Sequence, residues 1–292
     1  MPQNPRLAVT LILIATMFIA GTTLLAKFVG TDAGGAPLHP LQISHGRFMF
    51  AFIFIGSAAL IARPKLVRPN VPIHVGRTVF GWGGVTLMFA AAAYIPLADA
   101  TAISFLNPVF GMIFAIAFLG ERVGPWRWFA AGVALIGACV LMRPSADTMQ
   151  LAALLALAAA LLMGAELIFI KKLADREPPF QILLVNNGLG VVIATLAVIP
   201  FWAMPTPAQW MGLVGIGGLM AMAQTCFINA MARADASFVT PFTYLTLVFA
   251  ALYDLVFFDV IPDGVSVLGA AIILAGAAIL AWREGAIRNR QA

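Results

Sequence analysis

Several charged side chains lie inside long apolar stretches of this sequence, away from any hydrophilic segment. Arg47 is the deepest, about seven residues into its apolar run, or ~10 Å at 1.5 Å per residue. A charge at that depth costs ~2.5–3.5 kcal/mol on membrane insertion scales, so we expect it to face the interior and to have a partner. Its guanidinium could hold a carboxylate through paired hydrogen bonds. The structural alternatives are a clamp on backbone carbonyls and partial snorkelling.

Two titratable side chains are candidates for proton coupling. His45 has an ordinary titration range close to neutrality, and it belongs to a helical stripe with Gln42 and Met49. Glu166, near the end of its apolar run, could accept a proton or bind an amine. The structural alternatives are an interior histidine with its hydrogen bonds satisfied, and a rim glutamate held by one of the lysines that follow it.

Neutral hydrogen-bonding side chains recur in the same apolar runs and could line a polar cavity. These candidates are Asn107, Asn186, Asn187, Gln224 and Tyr244. The adjacent amides of Asn186 and Asn187 both need partners, which favours a cavity. The alternative is that these groups only join helices, at ~0.6 kcal/mol for an average contact.

Two prolines are candidate hinges. Pro108 and Pro241 lack an N–H, so each should free the carbonyl four residues earlier, at Ser104 and Ser237. A freed carbonyl cannot face lipid, so it must face protein or a wet cavity. The alternative is a packed kink whose carbonyl accepts from a neighbouring hydroxyl.

The composition excludes most classes of protein. Of 292 residues, 62% are hydrophobic and 10% are charged, whereas soluble domains are about 45–50% apolar and about 25% charged. Soluble enzymes and disordered proteins are therefore excluded. The two cysteines lie far apart in apolar runs, which excludes a disulfide scaffold. We infer a polytopic membrane protein.

Ten apolar runs are long enough to cross a membrane. They are 7–29, 40–62, 74–95, 98–119, 126–143, 149–170, 180–202, 208–231, 238–258 and 264–282. The runs are continuous rather than alternating, so a strand barrel is excluded. The connections are short, so neighbouring helices must be antiparallel.

The basic residues give the orientation. With the N-terminus in the cytoplasm, fourteen of the 17 lie on the cytoplasmic side, as the positive-inside rule requires. They are Arg6, Arg63, Lys65, Arg68, Arg77, Arg122, Arg127, Lys171, Lys172, Arg176, Arg233, Arg283, Arg288 and Arg290. An incorrect helix count would scramble this partition, so it supports the count and places both termini in the cytoplasm.

The two halves of the chain share sequence. Pro40-Leu-Gln-Ile opens the second run and Pro179-Phe-Gln-Ile the seventh, while Asp99-Ala-Thr and Asp235-Ala-Ser open the fourth and ninth. Both aspartates also suit helix N-caps. Homologous halves of five helices each must be inverted in the membrane. We predict one five-helix repeat at 1–147 and a second, inverted repeat at 148–292.

The stretch from Tyr94 through Pro108 to Phe118-Leu-Gly-Glu-Arg-Val, followed by Gly132-Val-Ala-Leu-Ile-Gly, resembles EamA-type members of the drug/metabolite transporter superfamily. A degraded copy in the second half puts Tyr244 near the position of Pro108. The resemblance covers essentially the whole chain and implies ten helices, inverted repeats, a central cavity and alternating access. Its motifs are specific for architecture and poor for substrate, because members move amino acids, sugars, nucleotides, vitamins and drugs.

We therefore expect a secondary active transporter of the bacterial inner membrane. One buried arginine against few buried acids favours an amino acid or related carboxylate as substrate, with export favoured. The alternative is an importer of a vitamin or nucleoside-like metabolite. Protons are the candidate coupling ion, lipids surround the protein, nucleic acid is not a partner, and the paired repeats suit a monomer.

Other classes lack their sequence signatures. The three histidines are scattered and no H-E-x-x-H or phosphate-binding motif is present, so we expect no metal, no cofactor and no enzyme activity. A channel and an intramembrane lipid-modifying enzyme stay as remote alternatives. Glu121 and Arg122, in one cytoplasmic turn, could lock that face through charge contacts or be a solvated pair worth ~0–1 kcal/mol.

Overall fold

The computed structural model describes residues 4–30, 35–92, 103–142, 151–258 and 261–291, which form helices and no strand. In chain order the helices are α1 (Pro5–Val29), α2 (Pro40–Ala62), α3 (Val71–Ala92), α4 (Asn107–Leu119), α5 (Pro125–Met142), α6 (Leu151–Ala174), α7 (Pro179–Val198), α8 (Pro207–Met231), α9 and α10 (Gly264–Gln291). The α9 helix is broken, with α-helical Ala236–Val239, 3₁₀-helical Thr240–Tyr244 and α-helical Leu245–Phe258. A short 3₁₀ turn, Ile199–Phe201, extends α7.

Each predicted apolar run corresponds to one of these helices. By length and composition alone, seven spans within the described residues could cross a membrane. Two details refine the sequence prediction. The ninth run contains a 3₁₀ segment around Pro241, the proline named as a candidate hinge, because a proline there cannot complete an α-helical hydrogen bond. The start of the fourth run, with Asp99, lies outside the described residues.

Proline and capping residues determine where several helices begin. The first helical residue is proline in α1, α2, α5, α7 and α8, where its missing N–H would have no partner in any case. Asn4 Oδ1 accepts the Leu7 amide at 3.2 Å. At α8, Thr206 and Gln209 form a reciprocal capping box.

The helix contacts have the two-fold pattern of an inverted repeat. The α1 helix packs along α8, and α3 packs along α6, which is the same pair with the halves exchanged. In the pairs α2–α7 and α5–α10, each helix meets its own counterpart. The predicted fold class, an all-α multi-pass membrane protein with ten helices in inverted five-helix repeats and cytoplasmic termini, is confirmed. The repeat boundary at residue 147 stays a prediction.

The α5–α10 contact brings two backbones close together. A Cβ added at Gly137 would lie 2.8 Å from Ile273 N and 2.9 Å from Gly269 O. On the other helix, a Cβ added at Gly276 would lie 3.0 Å from Ala130 O. Small residues at such positions let membrane helices pack closely by van der Waals contact.

Candidate functional site

An ion pair links α3 to α6 inside the bundle. Arg77 Nε lies 3.8 Å from Glu166 Oε1, with side chains 3% and 24% exposed. That distance allows electrostatic attraction but is too long for a hydrogen bond. Arg77 Nη1 donates to Ile182 O at 3.4 Å, and its Nε has no hydrogen-bond partner among the described residues. The guanidinium therefore joins three helices while one donor remains unused.

This ion pair bears on two expectations from the sequence. Arg77, counted among the cytoplasmic charges, lies within α3 and is 2% exposed, so it is a buried charge. For Glu166, the structural alternative was a contact with Lys171 or Lys172. Instead, Lys171 Nζ binds Asp175 Oδ1 at 3.0 Å and the carbonyls of the α8 C-terminus, because it lies one turn closer to the cytoplasm.

Gly81 makes the position of Glu166 possible. A Cβ added at Gly81 would lie 2.6 Å from Glu166 Cδ and 2.7 Å from both carboxylate oxygens. The carboxylate therefore lies directly against the α3 backbone. No larger residue fits at position 81 unless Glu166 moves.

Arg47, on α2, adds a second positive charge near this carboxylate. Arg47 and Glu166 attract each other electrostatically, whereas Arg47 and Arg77 repel. The Arg47 guanidinium also lies 4.4 Å from the ring centre of its neighbour Phe48, within cation–π range. Three charges from α2, α3 and α6 thus form a central charge cluster, defined here as Arg47, Arg77 and Glu166.

The predicted amides of α7 meet two different helices. Thr78 Oγ1, on α3, lies 3.1 Å from Asn186 Oδ1, to which it donates. Asn187 Nδ2 donates to Leu183 O at 2.8 Å and to Gln224 Oε1, on α8, at 3.1 Å. By the Pro40 and Pro179 match, Asn186 is the repeat counterpart of Arg47.

His45 lies in a separate group nearer the periplasm. Its Nε2 is 3.1 Å from Thr195 Oγ1, and its ring meets the edge of Trp202 at 5.7 Å between centroids. Glu166 instead lies against Arg77 and Gly81 of α3. The two residues predicted for proton coupling thus belong to different clusters.

The two proline-containing breaks pack against each other. Asn107 Nδ2 donates to Ser104 O at 3.0 Å, so the carbonyl freed by Pro108 accepts a hydrogen bond from the next turn. The Tyr244 hydroxyl, beside Pro241, donates to Phe105 O at 2.7 Å, and Tyr244 is fully buried. The geometry satisfies these groups within the protein and joins α9 to the start of α4.

Charges also tie the cytoplasmic turn between α4 and α5 to the start of α9. Glu121 accepts from the amides of Ala236 (2.8 Å) and Ser237 (3.0 Å) and from the Ser237 hydroxyl (2.6 Å). Arg127 Nη2 lies 3.0 Å from Asp235 Oδ2.

Glu121 thus makes the contact with another part of the cytoplasmic face that was expected of this turn. The arginine that takes part is Arg127, whereas Arg122 is exposed. The expected N-cap at Asp235 is wrong. Asp235 makes no side-chain cap, because its carboxylate binds Arg127 while Glu121 caps α9 in its place.

A second cytoplasmic cluster was missed by the sequence analysis. Glu177, between α6 and α7, accepts from Asn70 N at 2.7 Å and Gln181 Nε2 at 2.6 Å, and lies 2.9 Å from His74 Nε2. A carboxylate only accepts, so this ring nitrogen carries the proton of the contact. Burial alone would raise the pKa of Glu177, but these hydrogen bonds outweigh it and hold the pKa below the ordinary glutamate value.

The comparisons with known proteins identify the family. The family model described as the EamA-like transporter family matches residues 6–143 and again 150–282. A riboflavin transporter of Rhizobium johnstonii is 36% identical over 81% of this chain and 80% of its own length. One from Vibrio cholerae is 34% identical over 80% and 82%.

More distant relatives are also transporters, and a solved structure has the same fold. An S-adenosylmethionine uptake transporter of Rickettsia bellii is 24% identical over 93% of this chain and 92% of its own. A pseudopaline exporter of Pseudomonas aeruginosa is 28% identical over 72% and 74%. A crystal structure with 22% identity covers 94% of this chain and 98% of its own with a TM-score of 0.79. The chain belongs to the EamA-like transporter family, and it is a multi-pass transporter of the bacterial inner membrane rather than an enzyme.

Proposed function

We propose that the protein takes up riboflavin, or a vitamin of the same neutral heteroaromatic kind. The observation that carries this proposal is the carboxylate that the central charge cluster itself contains. Glu166 Oε1 lies 3.8 Å from Arg77 Nε and also attracts Arg47, so one of the two arginine charges already has a counter-charge within the protein.

Neutral donors and acceptors next to that cluster suit such a substrate. The amides of Asn186, Asn187 and Gln224 and the hydroxyl of Thr78 come from three helices. The isoalloxazine ring of riboflavin carries carbonyl oxygens on either side of an N–H, and amide side chains can both donate to and accept from that edge. We assign these three amides to substrate recognition. The unused Arg77 donor is available for a carbonyl oxygen.

The relatives support both the substrate and the direction. The two riboflavin transporters are the more similar of the relatives described above and span about four fifths of this chain. The relatives for S-adenosylmethionine are uptake transporters. We infer uptake, driven by a gradient, with Glu166 as the proton-accepting group and a single chain as the working unit.

The test is riboflavin fluorescence uptake into proteoliposomes, with and without a pH gradient, beside empty liposomes. We expect saturable uptake, and a loss of about tenfold in kcat/KM for Asn187→Ala, equivalent to ~1.4 kcal/mol for a lost pair of hydrogen bonds. Asn229→Ala is the matched control, because that amide binds Thr225 O and Arg233 at the cytoplasmic end of α8. Uptake equal to that of empty liposomes would refute riboflavin as the substrate.

One observation favours a second candidate, a carboxylate or amino-acid exporter. The central charge cluster has two arginines and one glutamate, so one positive charge is in excess while Glu166 is ionised. A substrate carboxylate would balance it. In the same proteoliposomes, efflux of preloaded labelled amino acids and their competition with riboflavin decide between the two candidates.

A further inference from the structure

Two glutamines at equivalent positions of the repeats hold opposite faces of the protein. Gln42 is the third residue of α2, and Gln181 is the third residue of α7. Both are buried, at 0% and 2% exposure. They belong to the matching tetrapeptides that open these helices, so the inverted repeat places one near the periplasm and the other near the cytoplasm.

Gln42 holds the segment between α7 and α8. Its Nε2 donates to Ala203 O at 2.5 Å, and its Oε1 accepts from Ala203 N at 3.1 Å. The segment 202–206 has no helix of its own. We call this contact of Gln42 with Ala203 the periplasmic latch.

Gln181 holds the segment between α2 and α3. Its Oε1 accepts from Val67 N at 2.7 Å, while its Nε2 donates to Glu177. This segment, 63–70, is likewise without helix. We call the contact of Gln181 with Val67 and Glu177 the cytoplasmic latch.

The two latches correspond in detail. Val67 is five residues beyond the end of α2, and Ala203 is five residues beyond the end of α7. Each glutamine therefore holds the segment that follows the other glutamine's helix. Hydrophobic packing alone does not produce such matched contacts, because a backbone amide needs a hydrogen-bond acceptor at a specific position.

We propose that Gln42 and Gln181 are paired gate residues, which close the periplasmic and cytoplasmic faces of the transporter in turn. Both latches are made in this structure. Opening one face breaks one latch and leaves the other intact, because the α2 and α7 helices carry one latch at each end. This role concerns access and does not depend on which substrate is carried.

The first measurement is hydrogen exchange of the protein in nanodiscs. Gln42→Ala should speed exchange in 202–206, and Gln181→Ala in 63–70, by about five- to tenfold each, the effect of losing an ordinary buried hydrogen bond. Each variant should leave the other segment unchanged. If either variant speeds exchange in both segments, or in neither, the pairing proposed here is wrong.

The second measurement distinguishes a gate from a structural contact. Thr78→Cys, 3% exposed at the native threonine, serves as a buried reporter after Cys139→Ala and Cys226→Ala. With Gln42→Ala, an impermeant maleimide should label the introduced thiol about five- to tenfold faster from the periplasmic side only, as a shift toward that open state requires. Gln181→Ala should do so from the cytoplasmic side only. Unchanged labelling, or equal acceleration from both sides, overturns the proposal.

Gln209→Ala is the matched control. Gln209 is also a buried glutamine on the periplasmic face. Its Nε2 donates to Ala36 O at 2.7 Å, and its Oε1 accepts from Thr206 N at 2.9 Å in the capping box of α8. Its removal leaves the contact of Gln42 with Ala203 in place. Side-selective labelling is not expected from Gln209→Ala. If either alanine variant fails to fold, Gln42→Met and Gln181→Met replace it, since methionine is similar in length and lacks both the amide donor and the carbonyl acceptor of each latch.

Discussion

The carboxylate of Glu177 offers a sharp test of how the cytoplasmic face is held. Glu177→Gln preserves shape but leaves one oxygen to serve three neighbours, Asn70 N, His74 Nε2 and Gln181 Nε2. Whichever way the amide turns, at least one donor then meets an NH₂ group. A hydrogen bond to a charged partner contributes ~1.5–3 kcal/mol, so we expect the free energy of unfolding to fall by about 2–3 kcal/mol.

Thermal melting in detergent, followed by tryptophan fluorescence, measures this loss. At about 2–4 °C for each kcal/mol in a chain of a few hundred residues, the melting temperature should fall by about 4–12 °C. Asp175→Asn is the matched control in the same turn. Its side chain is 51% exposed, and among the described residues its carboxylate pairs with Lys171 alone, so its removal should matter little. Equal melting of Glu177→Gln and the native protein, or an equal loss in Asp175→Asn, would refute the reasoning.

The pH dependence has a definite sign. The pKa of Glu177 is lowered in the folded protein, so its contribution is fully present above the ordinary glutamate pKa of about 4.3 and is lost as the pH falls through the lower, folded value. The native melting temperature should therefore decline below about pH 4.3, and this part of the decline should be missing in Glu177→Gln.

Two further changes test the packing described above. Gly81→Ala must displace Glu166, so we expect reduced transport and a loss of about 1–3 kcal/mol in stability from overpacking. At the control position, Gly56→Ala, an added Cβ meets nothing within 4 Å, so this variant should be neutral or slightly stabilising. Equal melting and transport in both variants would contradict the close contact. Glu121→Ala leaves the first amides of α9 without an acceptor and should cost about 1–3 kcal/mol by melting, while the exposed neighbour in Arg122→Ala should change stability by less than about 0.5 kcal/mol.

The architecture was predictable because it depends on patterns that repeat along the chain. Apolar runs of membrane length and prolines at helix starts are local signals, and they located the helices. The break in α9 was only half predicted. Pro241 indicated the lost hydrogen bond, but the 3₁₀ geometry of Thr240–Tyr244 also depends on Tyr244 bonding to Phe105, far away in sequence.

The partners of the charged residues were harder to predict, because a partner is chosen by tertiary contacts. Arg77 was counted with the cytoplasmic loop charges, because nothing near it in sequence indicated its contacts with Glu166 and Ile182. For Glu166 the lysines near it in sequence were the structural alternative, and for Glu121 a contact with another turn was expected without its partner residues. The repeat match at Gln42 and Gln181 was visible, but it indicated homology and gave no sign of the segments that these amides hold.

The close α5–α10 contact has a mechanical consequence. Dispersion attraction weakens steeply within an ångström of separation, so two backbones in contact at Gly137 and Gly276 cannot slide apart gradually. We expect this helix pair to stay fixed as a pivot while the remaining helices tilt about it. The pair contains one helix of each half, so tilting in either direction deforms it equally. A membrane protein built in this way can therefore populate inward-open and outward-open states with similar ease.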